Sequence, residues 1–67
     1  MKKYWIVQYK EDEEWIDIMN ENEDTWISSM DKAYSHYKDV KNEDCYSDVS
    51  VRLIEVTRKI IRIRAGV

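Results

Sequence analysis

Sixteen consecutive residues, Val49 to Arg64, constrain this chain more than any other stretch. The run VSVRLIEVTRKIIRIR holds three Val, four Ile and one Thr, with no Gly or Pro. β-Branched side chains fit a pleated surface and lose rotamer freedom in a helix, so the run reads as strand. Val49, Val51 and Leu53 alternate with Ser50 and Arg52, the period of a half-buried strand. From Ile54 the phase slips, and Ile54 and Val56 are expected on the other face. Apolar residues on both faces mark a central strand or one with a bulge.

The run is too long to stay straight. Sixteen extended residues span about 50 Å. A compact domain of 67 residues has a radius of gyration of about 11 Å and hence a diameter of roughly 30 Å. Either the chain breaks near Thr57-Arg58-Lys59 and Ile60 to Arg64 return as a fourth strand, or Arg58 to Arg64 project and pair with a second copy. No Gly, Asn or Asp is present to ease a turn, so the second option is favoured. Arg58, Ile60, Ile61, Arg62, Ile63 and Arg64 are then the self-association strand of a homodimer. Pairing would bury the three isoleucines, shield an exposed edge, and bring the bases to the acidic hairpin of the other copy.

Upstream, Tyr4 to Tyr9 reads as a strand with Trp5, Val7 and Tyr9 on one face and Tyr4, Ile6 and Gln8 on the other. Lys10 to Glu13 form a hairpin connection. Glu14 to Met19 is the second strand, with Ile16 and Ile18 inward and Trp15 outward. Asn20 to Asp24 is a solvated loop, and Trp26 and Ile27 are expected to plug one edge of the core. Ser28 with Asp31 resembles a capping box and starts a helix. Met30, Ala33, Tyr34, Tyr37 and Val40 form its apolar stripe. Asp31, Lys32, Ser35, His36, Lys38 and Asp39 form its wet face, and Asn42 ends it. Asn42 to Asp48 is a polar connection around Cys45 and Tyr46.

The order β-β-α-β, with a possible fourth C-terminal strand, predicts a single α+β domain over residues 1–67. One helix covers one face of a small antiparallel sheet. A right-handed crossover places the first strand between the second and third. The expected core is Val7, Ile16, Ile18, Ala33, Tyr37, Val40, Val51 and Leu53. A chain this short buries only about 60 % of its unfolded surface, so a partner or a second copy is the natural added support.

The chemistry-bearing residues are few. His36 and Cys45 are each the sole residue of their type, so neither a disulfide nor a Cys/His metal cluster can form within the chain. His36 reads as a solvated surface histidine with no nucleophile beside it. Cys45 sits in an acidic loop that disfavours a thiolate. Asn20, Asn22, Asp24 and Asp31 have the spacing that opens a calcium loop, but Thr25 stands where the required glycine would be. No phosphate loop, signal peptide or membrane span is recognisable. No catalytic residue, metal or cofactor is expected.

Charge layout is more informative. Residues 11–24 carry Glu11, Asp12, Glu13, Glu14, Asp17, Glu21, Glu23 and Asp24 and no base. Residues 58–64 carry Arg58, Lys59, Arg62 and Arg64 and no acid. A basic strand among aromatics could bind nucleic acid, but the clustered acids oppose the field such binding needs. The acidic run is either a solvated hairpin or a surface that mimics phosphates toward a basic protein. Trp15 and Trp26 flank it, and aromatics beside charge are what protein interfaces use. The candidate partner-binding set is therefore Glu11, Asp12, Glu13, Glu14, Trp15, Glu21, Glu23, Asp24 and Trp26.

Several segments together resemble small proteins encoded by bacteriophages and prophages. They are Met1-Lys2-Lys3-Tyr4, the Glu14-Trp15 hairpin, Ser28 to Tyr34, and Val51 to Arg58. The resemblance is one of style across most of the chain and transfers no residue's role. It implies an inhibitor of host defence, anti-CRISPR proteins among them, acting in the cytoplasm of a bacterial host on a basic or nucleic-acid-binding protein. The other classes left open are a small homo-oligomeric structural or regulatory module and a nucleic-acid binder using the basic strand.

Overall fold

The computed structural model describes residues 2–58 and 60–66. Its elements run β1 (Lys3–Glu11), β2 (Glu14–Ile18), α1 (Met30–Lys41), a single 3-10 turn (Asp44–Tyr46), β3 (Val51–Thr57) and β4 (Ile60–Ala65). The four strands make one antiparallel sheet in the order β2-β1-β3-β4. The expected α+β architecture and the central place of β1 are borne out.

β1 and β3 pair along their length, from Lys3 opposite Thr57 to Tyr9 opposite Val51. Being central, both strands need apolar residues on two faces. Trp5, Val7, Val51 and Leu53 face α1 and meet Ile18, Ile27, Ala33, Tyr37 and Val40 in the main core. Ile6, Ile54 and Val56 form a second cluster on the opposite face. Ile54 and Val56 thus lie on the other face from Val51 and Leu53, as expected of a central strand, with the backbone of β3 alternating regularly throughout. The irregularity lies across from it: Ile54 pairs with Ile63 but Leu53 pairs with Ala65, leaving Arg64 as the extra residue of a bulge. Val49, exposed, lies before the strand.

Arg58 to Arg64 do not project. The chain turns between Thr57 and Ile60, which pair with each other, and Ile60 to Ala65 fold back on β3. Arg58 takes φ 56°, a left-handed conformation that needs no glycine when the two strands hold it. Lys59, the other residue of this turn, lies outside the described residues. The β1–β2 turn is similar: Asp12 and Glu13 have φ of 50° and 70°, as a two-residue type I′ hairpin requires.

Local expectations are corrected at Ser28, Trp26, Met30 and Ile16. The helix is capped by Ser29, whose Oγ accepts from the Lys32 amide at 3.4 Å, and not by Ser28. Ile27 exchanges both backbone hydrogen bonds with Trp5, at 2.8 and 2.9 Å, and holds the chain extended past Ser28. Ile27 plugs the core at 5 % exposure, but Trp26, next along an extended chain, faces the other way and is 54 % exposed. Met30 is exposed and Ile16 only half-buried, while Ala33, Tyr37 and Val40 are buried as expected. Asn42 closes the helix as anticipated, its amide meeting the Lys38 and Asp39 carbonyls.

Gly66, after β4, is needed where it stands. Its φ is 82°, and a Cβ there would overlap the Val51 carbonyl oxygen and approach Arg52 Cα to 2.9 Å.

Candidate functional site

α1 crosses one face of the sheet and leaves the other bare among the described residues. That open face, and the two edges that bound it, carry the candidate functional groups.

The strand order places β2 and β4 at opposite edges, three strand spacings or about 14 Å apart. The charge asymmetry along the chain becomes an asymmetry across the sheet. Glu11, Asp12, Glu13 and Glu14 form the β1–β2 hairpin tip, where Glu11 and Glu14 sit directly opposite each other. Like charges so placed repel, and Tyr9 Oη donates to Glu11 at 3.3 Å. Lys10 reaches Glu13 at 3.6 Å, but both side chains are largely exposed and the pair is weak. Glu21, Glu23 and Asp24 lie past the far end of β2, about 20 Å from the tip along the strand. The loop holding them is built on Asn20, whose Oδ1 accepts from the amides of Asn22 and Asp24, each at 2.9 Å. The acids thus share an edge but form two groups. The bases Arg58, Arg62 and Arg64 line the other edge, beyond a Debye length of about 8–10 Å, so neither edge neutralises the other.

Trp15 and Trp26 both lie on the open face but differ in state. Trp15 is half-buried, with the Arg52 guanidinium carbon 4.0 Å from its ring centroid and Lys10 Nζ at 5.9 Å. Arg52 Nε donates to Gln8 Oε1 at 2.8 Å, and Gln8 Nε2 donates to Asp17 at 2.7 Å. The chain of contacts from Asp17 through Gln8 and Arg52 to Trp15 ties β2, β1 and β3 together. Burial lowers the Arg52 pKa from its usual value, the guanidinium keeping its charge at neutral pH. Trp26 sits edge-on to Tyr4, centroids 5.4 Å apart.

The remaining reactive groups are engaged locally. A groove of about 550 Å³ between α1 and the β2–α1 loop is lined by Asn20, Glu21, Lys32, His36, Asp39 and Glu43 among others. His36 is half-buried, not fully solvated, and its Nε2 lies 3.2 Å from the Ile18 carbonyl. Cys45 is exposed and its thiol donates to Glu43 at 3.5 Å. Desolvation, then the hydrogen bond and charge of Glu43, raise its pKa and hold it as a poor nucleophile. The Asn20 side-chain oxygen, first of the calcium-type spacing, is used by its own loop. Among the described residues no three His, Cys, Asp or Glu side chains are grouped as metal ligands, and no helix is long and apolar enough to cross a membrane.

Residue-level reading of the sequence overlooked Gln8 and Arg52 as site residues. It placed Ile60, Ile61 and Ile63 in a pairing with a second copy, whereas they pair with β3 of the same chain, and the side chains of Ile61 and Ile63 stay 61 % and 51 % exposed on the open face. Arg52-Ile54-Val56 and Tyr4-Ile6-Gln8 hold the signal, but it becomes readable only once β1 and β3 are put in register.

No family model, curated protein or solved structure matches the chain. Fold and surface therefore define it structurally: a four-stranded, one-helix α+β domain with one bare sheet face and oppositely charged edges.

Proposed function

We propose that this protein is a non-enzymatic binding module whose acidic β2 edge docks on a basic surface of another protein. The observation that carries the reading is the hairpin tip. Four carboxylates, Asp12 and Glu13 in the two-residue turn and Glu11 and Glu14 at the strand ends beside it, are gathered at one tip, and all are exposed. The only base within ion-pair distance of any of them is Lys10, among the described residues. An acidic projection with only one weak cation beside it matches proteins that bind nucleic-acid phosphates, steers their encounter, and excludes the nucleic acid itself. The resemblance to small phage proteins extends this to an inhibitor of a bacterial defence protein or nucleoprotein, acting in the host cytoplasm.

A second reading, a small homo-oligomeric module, is favoured by the exposed Ile61 and Ile63 beside the Ile6, Ile54 and Val56 cluster. The two readings use different surfaces and are compatible.

The test is affinity capture from bacterial lysate with the wild type and with Glu13→Lys/Glu14→Lys. Both substituted side chains are exposed, so the fold should survive. A partner held by the wild type, released by salt, and lost from the double variant supports the reading. A partner retained equally by both would reduce the acidic tip to a solubilising feature.

A further inference from the structure

β4 is an edge strand, and the direction of its backbone groups follows from the bonds of β1. Trp5 exchanges hydrogen bonds with Ile27 on the β2 side, at 2.8 and 2.9 Å, while the Lys10 amide donates to the Ser50 carbonyl at 2.9 Å on the β3 side. Antiparallel pairs alternate, so odd-numbered residues of β1 bond toward β2 and even-numbered ones toward β3. Carried on through Tyr4 opposite Val56 and Thr57 opposite Ile60, the same alternation turns Ile60 and Arg62 toward β3. Ile61 and Ile63 then point their amides and carbonyls away from the sheet. Neither has a backbone partner on that side among the described residues.

Exposed strand edges are ordinarily blunted by charge or by a bulge. The bulge of β4 sits at Arg64, toward one end, and Ile60 to Ile63 stay in regular register with β3. Along that regular part the side chains differ by face. Ile61 and Ile63 lie on the open face, both more than half exposed. Arg62 stands between them on the α1 face, opposite Glu55, and the two close no ion pair. A strand added here meets apolar side chains on one face and an unpaired guanidinium on the other. Cross-strand apolar pairs and opposite-charge pairs both stabilise a ladder, and like charges directly opposite weaken it.

A second copy supplies a poor match. Two β4 strands paired antiparallel about a two-fold axis normal to the sheet, in a register that joins most of their length, set Arg62 opposite its own counterpart or Arg64. The β2 strand of a second copy, with Trp15 and Asp17 beside Ile61 and Ile63, puts Ile16 beside Arg62 and Asp17 beside an isoleucine.

We propose that the β4 edge captures an extended segment of a partner protein as a fifth strand, a segment with a carboxylate between two apolar residues. The apolar pair lies beside Ile61 and Ile63, and the carboxylate lies beside Arg62. Main-chain bonds to Ile61 and Ile63 supply affinity, and the alternating side chains supply specificity. The contact is short, which places it with weak, transient interfaces. This edge lies across the sheet from the hairpin tip and binds independently of it.

An amide NMR titration of the full chain tests it, with a capped hexapeptide of alternating valine and glutamate and with its valine–lysine counterpart. The glutamate peptide should saturate below about 1 mM. It should shift the Ile61 and Ile63 amides and slow their hydrogen exchange, and the lysine peptide should leave them unmoved. Arg62→Gln, at an exposed position, should weaken the glutamate peptide about threefold. Ile63→Pro removes one outward amide and leaves those bonded to β3, and should weaken it about threefold or more. Equal binding of the two peptides, or of the glutamate peptide to wild type and Arg62→Gln, overturns the proposal. So does a glutamate peptide that fails to move the Ile61 and Ile63 amides at about 1 mM. Amides of Ile61 and Ile63 that shift with the concentration of the protein alone would make the occupant a second copy and overturn it as well.

Discussion

The Arg52 guanidinium lies over the Trp15 ring, 4.0 Å from its centroid, on the face of the sheet that α1 leaves bare. The contact joins β3 to β2 across β1. It also gives Gln8, which is 9 % exposed, the donor its carbonyl needs. Arg52→Ala removes the stacking and leaves a buried acceptor unpaired. The expected cost is about 1–3 kcal/mol. Trp15→Ala removes the stacking, the Lys10 contact and the half-buried ring surface, but leaves the Arg52–Gln8 hydrogen bond in place. Urea unfolding of the two single variants and the double variant measures the coupling, and additive effects would show the stack to be incidental.

Tyr37 anchors α1 on the sheet at 9 % exposure, with Lys41 Nζ 5.5 Å from its ring centroid. Tyr37→Ala should cost about 3–5 kcal/mol. That is a large share of what a domain this small possesses, so loss of the cooperative thermal transition is the expected outcome. A melting temperature equal to the wild type would mean that α1 packs through another face.

The β1–β2 turn holds Glu13 at φ 70°. A left-handed conformation costs an ordinary residue about 1–2 kcal/mol, and glycine escapes it. Glu13→Gly also removes a pair with Lys10 that is almost fully solvated at Glu13 and contributes little, and it frees the unfolded chain, which costs about 0.4–1 kcal/mol. The steric gain wins, and the melting temperature should rise by about 4 °C or more for each net 1 kcal/mol. Differential scanning calorimetry decides the sign.

Tyr9 and Tyr46 meet edge-on, with centroids 5.3 Å apart. Desolvation, then the charge and hydrogen bond of Glu11, raise the Tyr9 pKa above its ordinary 10.0. Desolvation, then the charges of Cys45 and Glu43, raise that of Tyr46. A raised folded pKa favours the neutral phenol in the fold. Its contribution is complete below the unfolded value of about 10 and is lost as pH rises through the folded values. Urea midpoints should therefore show no loss from this source between neutrality and about pH 10, then fall. Tyr9→Phe/Tyr46→Phe should flatten that alkaline fall, and an unchanged slope would assign it to other groups.

Most of the fold was legible in residue pattern. Alternation in Tyr4 to Tyr9 and Val51 to Val56 assigned each side chain to its face, and the spacing of Ala33, Tyr37 and Val40 oriented the helix. Turn chemistry was not legible. Arg58 has no feature that advertises positive φ; the pairing of Thr57 with Ile60 imposes it from outside. Trp26 and Ile27 are equally apolar, and only the backbone pairing of Ile27 with Trp5 decides which enters the core. The acidic residues were legible as a run. Their division between the hairpin tip and the Asn20 loop depends on the direction of β2 and could be seen only in three dimensions.

The central claim, that the hairpin tip is the contact surface, is tested most directly by titrating a captured and purified partner with the wild type and with Glu13→Lys/Glu14→Lys, at low and at high salt. The account predicts wild-type binding that weakens with salt, and a variant at least about tenfold weaker at low salt, the two converging as salt screens the charges. Equal affinities of wild type and variant at low salt would contradict it.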